Sequence, residues 1–169
     1  MRIPKITDAH VRLFCKEISP DHSPVYVPLH PMPGAPYRCC FDIVDVCIEA
    51  AKGSKLMGWA IWEWPGVFIE AEFHCVWKAP DGKLFDPTPQ RFQTENRNLF
   101  LPDPGQPEPK KAIENRRKIL NTDPTTKKLI RAFELRHRRP FPFSLWHSLQ
   151  ANFYAMRTMR KYGSPLRGD

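Results

Sequence analysis

The middle of the chain has the pattern of an antiparallel meander. Residues 57–64 are rich in aromatic and other strand-favouring side chains, and polar and apolar residues alternate over residues 67–77. The Trp-Pro-Gly sequence between them predicts a turn, and a Pro-Asp-Gly turn leads on to a short strand at residues 83–86. His74 falls on the polar face of the second strand, and the third strand ends at Asp86. We therefore expect His74 and Asp86 to lie near each other.

An amphipathic helix is predicted before this meander, over residues 41–52. With Cys40 as the origin, apolar residues recur at the spacing of one helical face, at positions 43, 44, 47, 48 and 51. A thiol at the start of a helix lies close to unpaired backbone N–H groups and to the positive end of the helix dipole, and both favour the thiolate. With Cys39 as the origin, charged Asp42 would lie on the buried face. The helical phase therefore favours Cys40 over Cys39 as a reactive thiol.

The flanking segments have other patterns. Residues 3–18 fit neither a strand nor a helix well, and this stretch is left open. Six prolines between residues 19 and 36 predict an extended segment, in which residues 25–27 form at most an edge strand. After the meander, the sequence LPDPGQPEP at residues 101–109 is typical of a linker.

Three helices are predicted beyond this linker, at residues 110–120, 125–139 and 143–162, the last of them stopped by Gly163. The chain is therefore predicted to have three parts. They are an α+β domain at residues 1–100, the linker at residues 101–109 and a basic helical extension at residues 110–169.

Composition limits the class of protein. With 169 residues, of which 41% are hydrophobic, the chain can bury one sizeable core but is too short for two full domains. Charged residues interrupt the first 19 positions, so we expect no signal peptide, no membrane partner and a cytoplasmic location. The five cysteines lack the spacing of a disulfide framework, so we expect free thiols.

Charge is divided unevenly along the chain. Residues 1–108 carry a net charge of −3, and residues 109–169 carry +11. The basic side chains of residues 110–139 could bind the phosphates of a nucleic acid or an acidic protein partner. They could equally form a solvated helical face, because no nucleic-acid-binding motif accompanies them. They include Arg116, Arg117, Lys118, Lys127, Lys128, Arg131, Arg136, Arg138 and Arg139.

Several short motifs resemble the transglutaminase-like superfamily. The sequences HCVWK at residues 74–78, PDG at 80–82 and FDPT at 85–88 are similar to its His-Ala-Trp strand, Gly turn and Asp-Pro-Thr. The sequence CFD at residues 40–42 resembles its Cys-x-Asp helix start. The resemblance covers about residues 36–90, and the superfamily is related in fold to papain-like and NlpC/P60 cysteine peptidases. The sequences GWAIWEWPGVFIEAEFH and DPTP also look like uncharacterised bacterial proteins.

The resemblance implies a papain-like or transglutaminase-like core, with a Cys-bearing helix packed on a small antiparallel sheet that bears His and Asp. It implies Cys40 as the nucleophile, His74 as general base and then acid, and Asp86 as the group that orients the imidazole. The implied function is a cysteine-nucleophile hydrolase or acyl transferase that acts on peptide or other amide bonds, as a peptidase, amidase, deamidase or transamidase, without a cofactor. The Cys40 backbone N–H would bind the oxyanion, and Trp59, Trp62 or His30 could supply a second donor.

Three alternatives stay open. Cys39 could be the nucleophile in place of Cys40. Glu70, Glu72 and His74 share one strand face and could bind a metal with the help of Cys75 or His22, but their spacings are not those of zinc sites, so no metal is expected. The chain could also be a non-enzymatic binding module that uses its basic helices.

Overall fold

The computed structural model describes residues 1–37, 39–90, 95–138, 140 and 142–165. These residues form four helices and a six-stranded sheet, which confirms the predicted α+β class. The helices are α1 (Ala9–Ile18), α2 (Cys40–Ala51), α3 (Pro124–Arg138) and α4 (Phe143–Tyr162). The strands are β1 (Val25–Pro28), β2 (Ser54–Trp64), β3 (Phe68–Lys78), β4 (Leu84–Phe85), β5 (Arg97–Pro102) and β6 (Arg116–Ile119).

The strands lie in the order β1-β5-β2-β3-β4, and β6 pairs with β3. Antiparallel pairing places Val25 of β1 opposite Phe100 of β5, and Trp59 of β2 opposite Leu101 of the same strand. On the other side, Trp77 of β3 lies opposite Phe85 of β4. β1 therefore lies at one end of this order, and the Pro28 carbonyl at its last residue accepts the Asp86 N–H.

The chain divides into two compact units. The first, which we call the cysteine unit, consists of Ile3–Trp62 and Ala71–Ile113. The second, the helical unit, contains Met1–Arg2, Glu63–Glu70 and the described residues from Glu114 onward. The predicted linker starts inside the sheet of the cysteine unit, since Leu101 and Pro102 are the last two residues of β5.

The cysteine unit has a hydrophobic cluster on each face of its sheet. On one face, Cys40 and Val44 of α2 pack against Cys75 of β3, with Met57 and Trp77 beside them. On the other face, the buried residues Val27, Val76 and Phe100 pack together with Leu56 and Leu84. Alternation along β3 explains the two clusters, because Cys75 and Val76 point to opposite faces. The helix that bears Cys40 is thus held against the strand that bears His74.

The helical unit has a core of its own. Trp64, Val67 and Phe68 from the β2–β3 turn region pack against Leu129 and Ile130 of α3. The Trp64 indole N–H donates to the Gly163 carbonyl at 3.2 Å, directly after α4 ends. Gly163 has a φ of 82°, a conformation that favours glycine, which explains why α4 ends where the sequence predicts.

The helix predicted at residues 110–120 is wrong, because Arg116–Ile119 form strand β6. Side chains along β6 alternate between exposed and half-buried, which is the period of a strand. Arg117 pairs with Glu70 and lies with its guanidinium 5.2 Å from the centre of the Phe133 ring. Ile119 packs against the core of the helical unit, and the Leu120 N–H donates to the Val67 carbonyl. These tertiary contacts outweigh the helical appearance of the local sequence.

The other predicted helices and strands are confirmed with small shifts at their ends. α2 starts at Cys40 and ends at Ala51, and the stretch left open near the N-terminus contains α1. α3 runs to Arg138, and the predicted last residue of this helix, Arg139, lies outside the described residues. In the described part of the chain, no helix is both long and apolar enough to cross a membrane.

Candidate active site

Cys40 is the first residue of α2, and Cys39 is the residue that precedes the helix. The Cys39 carbonyl accepts the first helical hydrogen bond, from the Ile43 N–H at 3.0 Å. The Cys40 thiol therefore lies at the end of the helix where backbone N–H groups lack helical partners and the dipole is positive. Cys40 is buried, with 6% of its surface exposed.

His74 and Asp86 lie in direct contact. The Nε2 atom of His74 is 2.8 Å from the Oδ2 atom of Asp86, which is fully buried. Because Nε2 is occupied by this carboxylate, Nδ1 is the ring nitrogen that remains for a thiol. The structure thus brings together the two residues that the meander predicts to be neighbours.

Cys40 completes the group, since its thiol hydrogen-bonds with the side chains of both His74 and Cys75. The backbone of Cys75 also hydrogen-bonds to the Cys40 sulfur. The three predicted site residues, Cys40, His74 and Asp86, are therefore contiguous.

The surroundings of Cys40 favour its thiolate. The side-chain hydrogen bond from Cys75 lowers the pKa of Cys40 most, burial opposes this, and the hydrogen bond and charge of His74 lower the pKa further. The same contact and burial raise the pKa of Cys75. Within this pair the thiolate is favoured at Cys40, because Cys40 lies at the helix start and contacts His74. Cys75 stays protonated, and its S–H group donates a hydrogen bond to the Cys40 sulfur.

The surroundings of His74 favour its imidazolium. Burial alone would lower the pKa of His74, but the charge and hydrogen bond of Asp86, together with the contact with Cys40, raise the pKa well above 6.5. Burial would raise the pKa of Asp86, and the charge and hydrogen bond of His74 lower it below its ordinary value instead. The pKa shifts therefore favour a thiolate at Cys40, an imidazolium at His74 and a carboxylate at Asp86.

Asp86 is held from several directions. Its Oδ1 atom accepts the Thr88 backbone N–H at 2.9 Å, and its Oδ2 atom accepts the side-chain amide of Asn98 as well as His74. Its backbone N–H donates to the Pro28 carbonyl, and its carbonyl accepts the His30 N–H. The proline-rich segment after β1 thus fixes the position of the carboxylate that orients His74.

The other cysteines have different surroundings. Burial raises the pKa of Cys15 to about 12 and also raises the pKa of Cys47. Cys39 is half-buried at the position before α2, and it is Cys40 that contacts His74. Of Cys15, Cys40, Cys47 and Cys75, only Cys40 has a lowered pKa.

Two of the three side chains suggested as a second oxyanion donor, Trp59 and Trp62, are engaged or distant. The Trp59 indole N–H donates to Asp103 at 3.0 Å, and the His30 ring stacks on Phe85. The Trp62 indole N–H is buried without a partner in the described residues, but it lies five positions along β2 from Met57, which packs against Cys40. Five positions in a strand span roughly 16 Å. The Cys40 backbone N–H and the His30 ring N–H, which stacking on Phe85 does not occupy, remain candidates among those suggested.

The suggested metal ligands take other partners. Glu70 pairs with Arg117, and His22 hydrogen-bonds with Ser19 at 3.0 Å. Among the described residues, no group of three or more His, Cys, Asp and Glu side chains is arranged to hold a metal ion.

Two residues of the site were missed from the sequence. Asn98 lies in β5, a strand without period-two alternation because its residues 98–101 are all buried. Cys75 follows His74 directly and looked like a core residue, yet its hydrogen bond lowers the pKa of Cys40 more than any other contact does. No local sequence signal marks either role, since both depend on contacts between distant segments.

No family model, no curated protein and no solved structure matches the chain. The proposals below therefore rest on the geometry of the site and on the sequence motifs.

Proposed function

We propose that the protein is a cysteine-nucleophile hydrolase or acyl transferase that acts on amide bonds. The observation that carries the proposal is the contiguous chain of Cys40, His74 and Asp86, with Cys40 at the start of a helix and His74 hydrogen-bonded on both sides. This arrangement suits a papain-like or transglutaminase-like core, in which a thiolate attacks a carbonyl and an imidazolium protonates the leaving group.

The reaction would proceed in two steps. The Cys40 sulfur attacks the carbonyl carbon of a peptide or other amide, and the oxyanion that forms is bound by the Cys40 backbone N–H at the start of α2. The carbon–nitrogen bond then breaks, and the proton of His74 goes to the departing amine, which leaves an acyl thioester on Cys40. Water, or an amine in a transferase, gives its proton to His74, attacks the thioester and releases Cys40.

An activated ester tests this proposal without knowledge of the natural substrate. With p-nitrophenyl acetate, we expect a burst of nitrophenolate that approaches one equivalent per chain, and an acetyl group on Cys40 in the digested protein. Cys40→Ser and His74→Ala should abolish the burst, whereas Cys47→Ser, which changes a thiol on the same helix, should retain it. Equal acetylation of several cysteines, or a burst that survives His74→Ala, would contradict the proposal.

A second experiment separates hydrolysis from acyl transfer. When the acetylated protein is mixed with a small primary amine, a transferase gives the N-acetyl amine, and a hydrolase gives acetate at an unchanged rate. Peptide and amide libraries would then define the natural acyl group.

A binding function for the basic helices is the second candidate. Lys127, Lys128, Arg131 and Arg136 are exposed on α3, which supports binding of an acidic protein or a nucleic acid. The basic set is smaller than the sequence suggests, because Arg117 pairs with Glu70 and Arg138 with Glu114. Binding to heparin that weakens steeply with salt, and that is lost in Lys127→Glu/Arg131→Glu, would support this candidate. A protein that shows neither this binding nor the burst would overturn both candidates.

A further inference from the structure

The face of α4 that points to solvent is apolar over most of its length. Trp146, Leu149, Phe153 and Met156 are 61%, 57%, 49% and 56% exposed, and we call these four residues the α4 seam. They recur in steps of three and four positions, which places them on one stripe of the helix. Two further exposed side chains, Leu145 and Met159, lie beside the stripe. The buried residues Ala151 and Thr158 lie on the opposite face, so the stripe is not part of the core of the helical unit.

The charges of α4 lie at one end of the helix. Residues 143–156 contain no Lys, Arg, Asp or Glu, and the last two turns carry Arg157, Arg160 and Lys161. Two such helices packed in parallel would bring their basic ends together. Two packed antiparallel would place each basic end beside the uncharged half of the other, and like charges would stay apart.

We propose that the α4 seam is the interface of a homodimer, in which the α4 helices of two copies pack antiparallel about a twofold axis. In the matching register, Leu149 of each copy faces Phe153 of the other, and Trp146 faces Met156. Steps of three and four are the spacing with which paired helices interdigitate their side chains. A twofold axis makes each contact occur twice, as an isologous interface requires.

The area of the stripe is sufficient for such an interface. The exposed parts of its four side chains, with those of Leu145 and Met159, come to roughly 650–750 Å² on each copy. A standard protein–protein interface buries about 600–1,000 Å² on each partner. The largest apolar patch on a typical monomer is about 300–600 Å², and a larger one marks an interaction site.

Sedimentation equilibrium of the full chain tests the proposal. We expect a concentration-dependent dimer that becomes tighter as salt increases, because each copy carries a net charge of +8 and salt screens their repulsion. Leu149→Glu and Phe153→Glu should give monomers, while Leu13→Glu, at a 61% exposed leucine on α1, should dimerise like the wild type. A wild-type chain that stays monomeric at low and high salt, or a Leu149→Glu variant that dimerises normally, would overturn the proposal.

Mixing variants tests the register. Leu149→Glu mixed with Phe153→Lys should form a heterodimer. The new glutamate of one copy then faces the new lysine of the other, and the second contact between Leu149 and Phe153 keeps its native side chains. Leu149→Glu mixed with Leu149→Lys should stay monomeric. Recovery in the second mixture and not in the first would show a parallel arrangement and overturn the antiparallel interface. None of these outcomes depends on the chemistry of Cys40, so failure here is distinguishable from failure of the proposed enzyme.

Discussion

Asn98 and Asp86 share a buried hydrogen bond, in which the Asn98 side-chain amide donates to Asp86 Oδ2, the same oxygen that contacts His74. Gln90 in turn donates to the Asn98 Oδ1 atom at 2.6 Å. β5, which carries Asn98, lies between β1 and β2 in the sheet. The carboxylate at the end of the proposed triad is thus anchored to the middle of the sheet.

Replacement of Asn98 tests this anchor. A hydrogen bond to a charged group contributes about 1.5–3 kcal/mol, so we expect Asn98→Ala to lower the free energy of unfolding by about that amount. We also expect a slower burst with the activated ester, because Asp86 would hold His74 less firmly. Gln90→Ala, one hydrogen bond further out, should have a smaller effect on both. A burst rate in Asn98→Ala that equals the wild-type rate would contradict a positioning role.

The pH dependence of alkylation tests the charge state of the site. The pKa of Cys40 is lowered to about 4 and that of His74 is raised well above 6.5, so the thiolate and the imidazolium coexist at least from about pH 4 to pH 6.5. The rate of Cys40 alkylation by iodoacetamide should therefore be nearly flat from about one pH unit above the Cys40 pKa up to pH 6.5. An ordinary thiol would react about tenfold faster with each pH unit in the same range. Cys15, whose pKa burial raises to about 12, should stay unlabelled.

The same shifts predict how these groups affect stability. The raised pKa of His74 stabilises the fold below pH 6.5, and this contribution is lost as the pH rises through the folded-state pKa. The lowered pKa of Cys40 has the opposite sign, so its contribution is complete above pH 9.0 and is lost as the pH falls through the folded-state pKa. In Cys40→Ser, the pH dependence of the free energy of unfolding that is due to Cys40 should disappear from a pH series of urea unfolding curves. A series identical to that of the wild type would show that the Cys40 pKa is not lowered in the folded protein.

Cys75 offers a test of the thiol donor. Cys75→Ala removes the side-chain donor but keeps the backbone N–H, so we expect the pKa of Cys40 to rise and the flat region of the alkylation profile to begin at a higher pH. Cys75→Ser keeps an O–H donor of similar size and should restore most of the wild-type profile. If the alanine and serine variants have the same profile, the hydrogen bond between the two side chains is not the cause of the lowered pKa.

The sequence predicts the parts of the site that depend on local pattern. Helical phase identifies Cys40, alternation places His74 on a strand, and the turn at residues 80–82 returns the chain so that Asp86 meets His74. The position of Asn98 could not be predicted, because β5 joins β1 and β2, which are distant from it in sequence, and is buried without alternation. β6 was missed for a related reason, since partners outside the segment, Glu70 and Phe133, hold Arg117 in the strand. Contacts between distant segments therefore determine the position of Asn98 and the strand β6, neither of which local periodicity predicts.

Gly58 links the site to the packing of β5. A Cβ atom at this position would overlap the Leu101 carbonyl oxygen and lie 2.5 Å from the Phe100 ring, both in β5. These atoms belong to the sheet and a buried ring, so Gly58→Ala should lower the free energy of unfolding by about 1–3 kcal/mol, measured by urea denaturation. Because Met57 packs against Cys40 and β5 holds Asn98, the burst with the activated ester should also slow. Gly105→Ala is the matched control, since a Cβ there meets nothing within 4 Å. Equal unfolding midpoints for the two variants would show that β2 and β5 can separate without cost, and the anchoring of Asp86 through β5 would lose its structural basis.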